Sequence, residues 1–376
     1  MKKLITLLFG LLSASFSYAQ LLFAAKEKGM YGFVDVRGNW VIRQAFENAH
    51  AFSNGLAAVM KSELWSYVDE EGKLITNFKF HQAFNFEGEV ARVRAFASTV
   101  DRQSLFGLID RNGNWVVKPS FSHIRKFSDN GLAMARNQEG NWGFIDKKGK
   151  WVIQPSYAGL KDFKDGLAMA RSKGRWGFID EKENWVIQPK YDHAHSFSEG
   201  IAIVETRKGW GLIDKHDNRI GDMVFEVVQP FSDGVAVVRQ SREWGVIDKE
   251  GKWVFKSEFG YLDSFKEGLA RARYHAKWGV INKRGEWVMK PSVTNLFDYS
   301  GGLAQAGNDL YWGYINASGA WVAEPKFQSA ERFINGYAIV KQNGKWGIMG
   351  VDGTLTAPPA FDKLRSLLEE EPEDEL

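Results

Sequence analysis

The sequence predicts an all-β repeat protein: three-stranded antiparallel meanders in tandem, stacked as an open twisted solenoid, with a closed propeller-like ring as the alternative. Two observations predict it. A leading aromatic recurs at Tyr31, Trp65, Phe106, Trp142, Trp176, Trp210, Trp244, Trp278, Trp312 and Trp346, at spacings of 34, 41, 36 and then 34 residues six times. All 15 tryptophans fall in two slots of this unit, so the aromatic-rich composition reflects a repeat architecture before it reflects any site. A fixed period also overrides the usual relation between length and domain number, because each small unit buries its apolar face against its neighbours.

The chain starts with Met1-Lys2-Lys3, an apolar run from Leu4 to Leu12 and Ser17-Tyr18-Ala19. This is the pattern of a cleavable secretory leader over residues 1–19, with Gln20 as the mature N-terminus. The run is short for a membrane span, so no stable span is expected after cleavage. Ten repeats are expected over 20–361, then a short cap and acidic tail over 362–376. No cysteine occurs, which excludes disulfide staples, thiolate metal sites, a cysteine nucleophile and a lipid-anchor cysteine.

Repeat four sets the pattern for each element. Trp142 to Ile145 reads as a strand ending at Asp146, whose carboxylate can accept backbone N–H groups at a turn, with Gly149 free to take a positive φ. The returning strand starts at Trp151 and is expected to leave the sheet at Pro155, which has no N–H for a ladder. A packed crossover carrying Tyr157 and Phe163 leads to Gly166, and Leu167 to Arg171 forms the third strand. Trp142 and Phe144 point one way while Gly143 and Ile145 point the other, so both faces should be covered. The glycine after each tryptophan should permit close approach of a backbone or ring, and the tryptophans themselves read as packing residues.

Some copies are irregular. Repeat one has Tyr31 for tryptophan and Gln44 for the proline. Repeat two has Ser66 after Trp65 and Leu74 in the second tryptophan slot, and its outgoing strand runs into an extended hairpin between Phe96 and Leu105. Repeat five has Glu183 in a glycine slot, repeat six loses its second tryptophan at Ile220, and repeats eight and nine replace the turn aspartate with Asn282 and Asn316. Phe361 to Leu368 reads as a short capping helix before a solvated acidic tail.

Little in the chain points to catalysis. The formal net charge of +3 falls to about +1 without Lys2 and Lys3, and basic residues alternate with acidic ones, which gives no reason to expect nucleic acid. His193 and His195, near Asp192, form the closest approach to a ligand cluster, but His123 and His50 occupy the same offsets after Phe121 and Phe46, so loop packing is the reading. The D-x-x-G turns do not match a calcium loop. Asp162 and Asp165 could be imagined as glycosidase carboxylates, yet their slots recur singly at Asp298 and Glu267. No catalytic, cofactor-binding or metal-ligating residue is assigned, no cofactor is expected, and the chain does not read as an enzyme.

The run Trp142-Gly143-Phe144-Ile145-Asp146 with Gly149-Lys150-Trp151-Val152-Ile153-Gln154-Pro155, echoed through Trp346, resembles the WG or KWG repeat family of bacterial β-rich proteins over about residues 29 to 361. That resemblance implies a scaffold or interaction module and brings no catalytic residues. The expected function is an exported scaffold, periplasmic or extracellular, that binds another envelope protein. The alternative is a glycan-binding repeat protein whose exposed aromatic rings stack on an envelope polysaccharide; a hydrolase is disfavoured.

Overall fold

The computed structural model describes residues 21–97 and 103–367, so the leader and the acidic residues from 368 onward lie outside the described residues. The described chain forms ten small antiparallel sheets, seven of four strands and three of three. In blade 4 the strands are His123–Ile124, Ala133–Arg136, Trp142–Ile145 and Trp151–Tyr157, hydrogen-bonded in that order. The middle two strands are buried on both faces, while alternate residues of the last are exposed. In blades 5 and 6 the short first strand shrinks to a single bridge, Leu160 to Ala170 and Ala194 to Val204.

The turns form as their residues dictate. Asp146 Oδ1 accepts the amides of Lys148 and Lys150, both at 2.9 Å, and Gly149 has φ +75°. Asn282 and Asn316 accept the same two bonds through their side-chain carbonyls. Pro155 does not end its strand. Trp151–Tyr157 runs through it, and the register shifts so that Phe144 faces Ile153 while Trp142 faces Tyr157. The proline therefore sits in a bulge, where no ladder bond is needed. The bulged strand passes close over Gly143: a β-carbon there would lie 2.9 Å from the Pro155 nitrogen and closer still to the Ile153 oxygen. The glycine thus admits a backbone, as its position suggested, and the backbone is that of its own blade.

This crossing lets the chain reach the next blade with one intervening residue, since Phe121 ends one strand and His123 opens the next. A first strand of only two residues explains how about 34 residues build a four-stranded blade, where roughly 40 to 45 are usual.

The array closes on itself, and the open solenoid is thereby overturned. Lys363–Leu364, at the end of the chain, pairs antiparallel with Phe23–Glu27 at its start and supplies the fourth strand of blade 1. Asp362 N donates to Lys26 O at 2.9 Å and Arg365 N to Ala24 O at 3.0 Å. The expected capping helix is absent here because Phe361 ends a strand and residues 363 and 364 form another.

Burial agrees with closure. Each junction between successive blades holds one hydrophobic cluster, for example Phe144, Tyr157 and Ala170 between blades 4 and 5. An open array of ten units would have nine such junctions. The tenth joins blade 10 to blade 1 through Ile339, Ile348, Phe361, Phe23 and Val34. Trp40 meets Phe361 edge-on across this seam at 5.8 Å between centroids.

Candidate functional site

Strand direction sorts the loops onto two ends of each blade. One end carries the D-x-x-G turn and the turn that precedes the second strand. Chemistry there repeats and serves closure. Asp165 Oδ2 accepts Gly200 N at 2.6 Å, Glu199 accepts Gly234 N at 2.9 Å, Asp233 accepts Gly268 N at 2.7 Å and Glu267 accepts Gly302 N at 3.1 Å. Each acid sits at a positive φ, between 51° and 56°, and latches its blade to the next. Lys215 and Lys283 add bonds to the carbonyls of Asp165 and Asp233, and Lys249 pairs with Glu199 at 3.1 Å. The carboxylates considered as hydrolase acids are therefore structural at Asp165 and Glu267, while Asp298 pairs with Lys266 at 2.6 Å and Arg271 at 2.8 Å.

The opposite end carries the hairpin between the second strand and the tryptophan strand, and there each blade presents a row of three residues facing one way. In blade 4 the row is His123, Arg136, Trp142; in blade 8 it is Tyr261, Arg273, Trp278. The middle residue places a cation over the aromatic ring in seven blades, through Lys26, Arg94, Arg136, Arg171, Arg239, Arg273 and Lys341, at 5.3 to 6.0 Å from the centroid. Such pairs form because a guanidinium or ammonium is attracted to the negative face of the ring.

The tryptophans are less buried than packing residues of a closed core. Trp65 and Trp142 are buried, and the other thirteen are half-buried, with none fully exposed. Second-slot rings pack edge-on across blade junctions, as Trp151 does on Phe121 at 5.4 Å and Trp253 on Phe225 at 6.4 Å. In blade 6 that slot holds Arg219, since Arg219 faces Ile213 as Trp185 faces Ile179, so the departure lies there and not at Ile220.

The hairpin end is not uniform around the ring. Five aromatic rings outside the tryptophans are exposed among the described residues, Phe96, Tyr261, Tyr274, Phe297 and Tyr311, and four of these lie in blades 8 and 9. Tyr261 stands between Trp244 and Trp278, at 5.4 and 5.8 Å, and Phe297 lies 5.1 Å from Trp312. A cleft of about 670 Å³ opens beside Tyr261, lined by Asp263, Arg271, Arg273, His275 and Trp278. A second, of about 510 Å³, shares Arg271 and runs past Phe297, Asp298 and Gln305 to Glu331, Arg332 and Ser366, reaching Lys266 and Ser300 in the turns of the opposite end. Residues from blades 8, 9 and 10 and the closing segment meet in it, and only the inner side of a ring brings so many successive units to one cleft.

Electrostatics divide the two clefts. Arg271 binds Asp263 in its own blade, and Asp298 and the Leu296 carbonyl in the next, the last at 2.5 Å. It occupies a slot that is apolar in most blades, as at Met134 and Met169, and polar also at Arg92 and Gln305, and so acts as a polar partition. Burial, with Asp263 beside it, pushes the Tyr261 hydroxyl above its ordinary value.

The two histidines of the Tyr-Asp-His-Ala-His run fall into rows of this same end but not into a metal site. His195 packs 5.1 Å from Trp210 and burial lowers its pKa, while His193 is exposed and lies 3.8 Å from Glu205. No group of three or more metal-ligating side chains occurs among the described residues. His50 packs on Trp65 at 4.4 Å and is pushed down to about 4 by burial and by Arg365. Sequence reasoning passed over Tyr261 and Phe297, which occupy the slots of His193 and His195. Slot comparison could have found them, since those two slots hold different chemistry in almost every copy.

Fold and site together define a closed ten-bladed β-propeller repeat protein with a varied, aromatic-rich end. The WG containing repeat model matches residues 31–65, 65–95, 106–141, 142–176, 176–209, 210–241, 244–278, 278–309 and 312–346. The chain belongs to the WG repeat family. No curated protein matches it. Among solved structures it is similar to a eukaryotic initiation factor, at 13% identity over 92% of this chain and 97% of that one, with a TM-score of 0.52. Hsv2 of Kluyveromyces lactis also matches, at 8% identity over 64% of this chain and 97% of that one, with a TM-score of 0.37. At such identity the first likeness is one of fold alone.

Proposed function

We propose that this propeller is an exported, non-catalytic binding protein whose ligand is a glycan, held at the hairpin end of blades 8 and 9 after removal of a leader over residues 1–19. The observation that carries this reading is the concentration of exposed rings in blades 8 and 9, Tyr261, Tyr274, Phe297 and Tyr311, of which Tyr261 and Phe297 line two clefts that also offer charged and amide groups. Sugar rings present C–H faces that stack on aromatic side chains and hydroxyls that need donors and acceptors, and the clefts supply both. An envelope protein partner is the second reading. It is favoured by Leu310, 75% exposed next to Tyr311 at a hairpin tip, where a sugar site has no need of an aliphatic side chain. No helix among the described residues is long and apolar enough to cross a membrane.

Binding of the purified protein to a panel of envelope polysaccharides, followed by tryptophan fluorescence, tests the glycan reading. Saturable binding with an emission shift is expected, and Tyr261→Ala should weaken it about tenfold, about 1.4 kcal/mol. No binding across the panel by folded protein would remove the glycan reading and leave the protein partner first.

A further inference from the structure

We infer that the glycan is acidic, and that the cleft beside Tyr261 seats a uronic-acid unit whose carboxylate pairs with Arg273. This rests on the glycan reading above and adds the class of sugar. Charge bookkeeping within the two clefts leads to it. Asp263 is paired with Arg271, and Asp298 with both Arg271 and Lys266, so both aspartates enter the site already neutralised. Arg271 is engaged by those two carboxylates and the Leu296 carbonyl.

Arg273 is different. It lies between Tyr261 and Trp278 in the row, is exposed, and has no carboxylate partner among the described residues; its one contact of note is the Trp278 ring at 6.0 Å. His275 lines the same cleft one turn position away. An unpaired guanidinium above a cleft, with a ring on either side, fits a planar carboxylate carried on a sugar. The fork of N–H donors takes the carboxylate by two bonds, and the ring beside it takes the sugar's C–H face. Arg273 differs here from Arg239 of the preceding blade, which has Glu226 within 3.7 Å, and from Arg136 and Arg171, whose Nε atoms donate to the carbonyls of Gly140 and Gly174. Arg271 is a positioning residue: its two carboxylate bonds and the Leu296 bond fix the wall between the clefts.

The test compares polygalacturonate with its methyl ester, a neutral glucan and inorganic polyphosphate, using the full purified chain. Polygalacturonate should bind, the methyl ester about tenfold or more weakly, and polyphosphate no better than the ester. Arg273→Gln should reduce polygalacturonate binding by a similar factor without moving the melting temperature, while Lys341→Gln, in the same slot of blade 10, should leave it unchanged. Equal binding of acid and ester overturns the acidic assignment yet keeps the glycan reading. Equal losses for Arg273→Gln and Lys341→Gln, or tight polyphosphate binding, overturn it in favour of diffuse charge attraction. Failure of every glycan removes the reading on which it rests.

Discussion

The two ends of each blade use repetition differently. Where the two turns lie, the same bonds recur: a carboxylate or carboxamide closes the turn in blades 1 to 9, and in blades 5 to 8 an acid at positive φ reaches the amide of a glycine in the following blade. At the hairpin end the backbone row recurs but its first residue does not, being histidine in blades 4 and 6, valine in blade 7, tyrosine in blade 8 and asparagine in blade 9. A ring needs identical junctions to close, whereas a ligand needs places that differ. Constancy marks the end that holds the ring together, and variation marks the end that meets something else.

The sharpest challenge to that division is His50, a hairpin-end residue in the site's own slot that nonetheless serves the seam. Its ring lies on Trp65, and Arg365, just past the closing strand, stacks on Tyr31 and donates to Asn48 Oδ1 at 2.5 Å. Burial, then Arg365, holds His50 down to about 4 from an ordinary 6.5. The sign follows from proton counts. Below pH 6.5 the unfolded chain takes up a proton that the native ring refuses, so stability falls as pH drops and stops falling near 4. About 3 kcal/mol should be lost across that window. Urea unfolding between pH 7 and pH 4 should show this slope, and His50→Gln should flatten it relative to the parent. An identical slope in both proteins would return His50 to the variable class.

A smaller effect sharpens the constant end. Asp233→Ala removes the acceptor of Gly268 N, and the alanine, like the aspartate, must hold φ near 56°. The loss should be about 1.5 kcal/mol, from a charge-assisted bond to a backbone amide, seen as a lower denaturant midpoint. Glycan binding should not change. A binding loss with no change in midpoint would mean that the latch end also meets ligand.

Much of this division could be read from residues alone. The D-x-x-G turn, the positive φ at Gly149 and the close approach at Gly143 follow from local chemistry, and the structure has all three. Closure did not follow, because period says nothing of curvature. The clue was nonetheless present: Phe361-Asp362-Lys363-Leu364-Arg365-Ser366 has the form of Tyr191-Asp192-His193-Ala194-His195-Ser196, which is the start of another repeat, while the chain's first described strand, Phe23–Glu27, begins at the second strand of one. A unit begun at the end and missing at the start is the mark of a ring. The cleft was hidden for another reason. Its distinguishing fact is that Arg273 lacks the partner that the arginines in the same slot of other blades have, and partners are set by side-chain reach.

One coupled change shows that even the constant end can be rewritten if both sides of a junction move together. The residue six after the second tryptophan slot packs on the next blade's D-x-x-G turn. Where it is Phe121, Phe225 or Phe327, the turn position is Gly149, Gly251 or Gly353; where it is Tyr157 or Tyr191, the position is Glu183 or Asp217, each at φ 66°. Tyr157 donates to Glu183 at 3.1 Å and Tyr191 to Asp217 at 2.5 Å. Both hydroxyls are held above their ordinary range, first by burial, Tyr157 up to about 12. The carboxylate gains a hydroxyl and Asp217 gains Lys190 as well, which offsets the cost of a side chain at a glycine φ. In a double-mutant cycle, Tyr191→Phe alone should destabilise by about 1 kcal/mol, because it removes the hydroxyl donor and leaves the carboxylate with Lys190 alone. Adding Asp217→Gly should recover most of that loss, since it recreates the Phe225–Gly251 pairing and relieves the backbone. A coupling energy near 1 kcal/mol is expected from thermal or urea unfolding. Additive losses would show that the two positions were filled independently and that each junction of the ring is tuned one residue at a time.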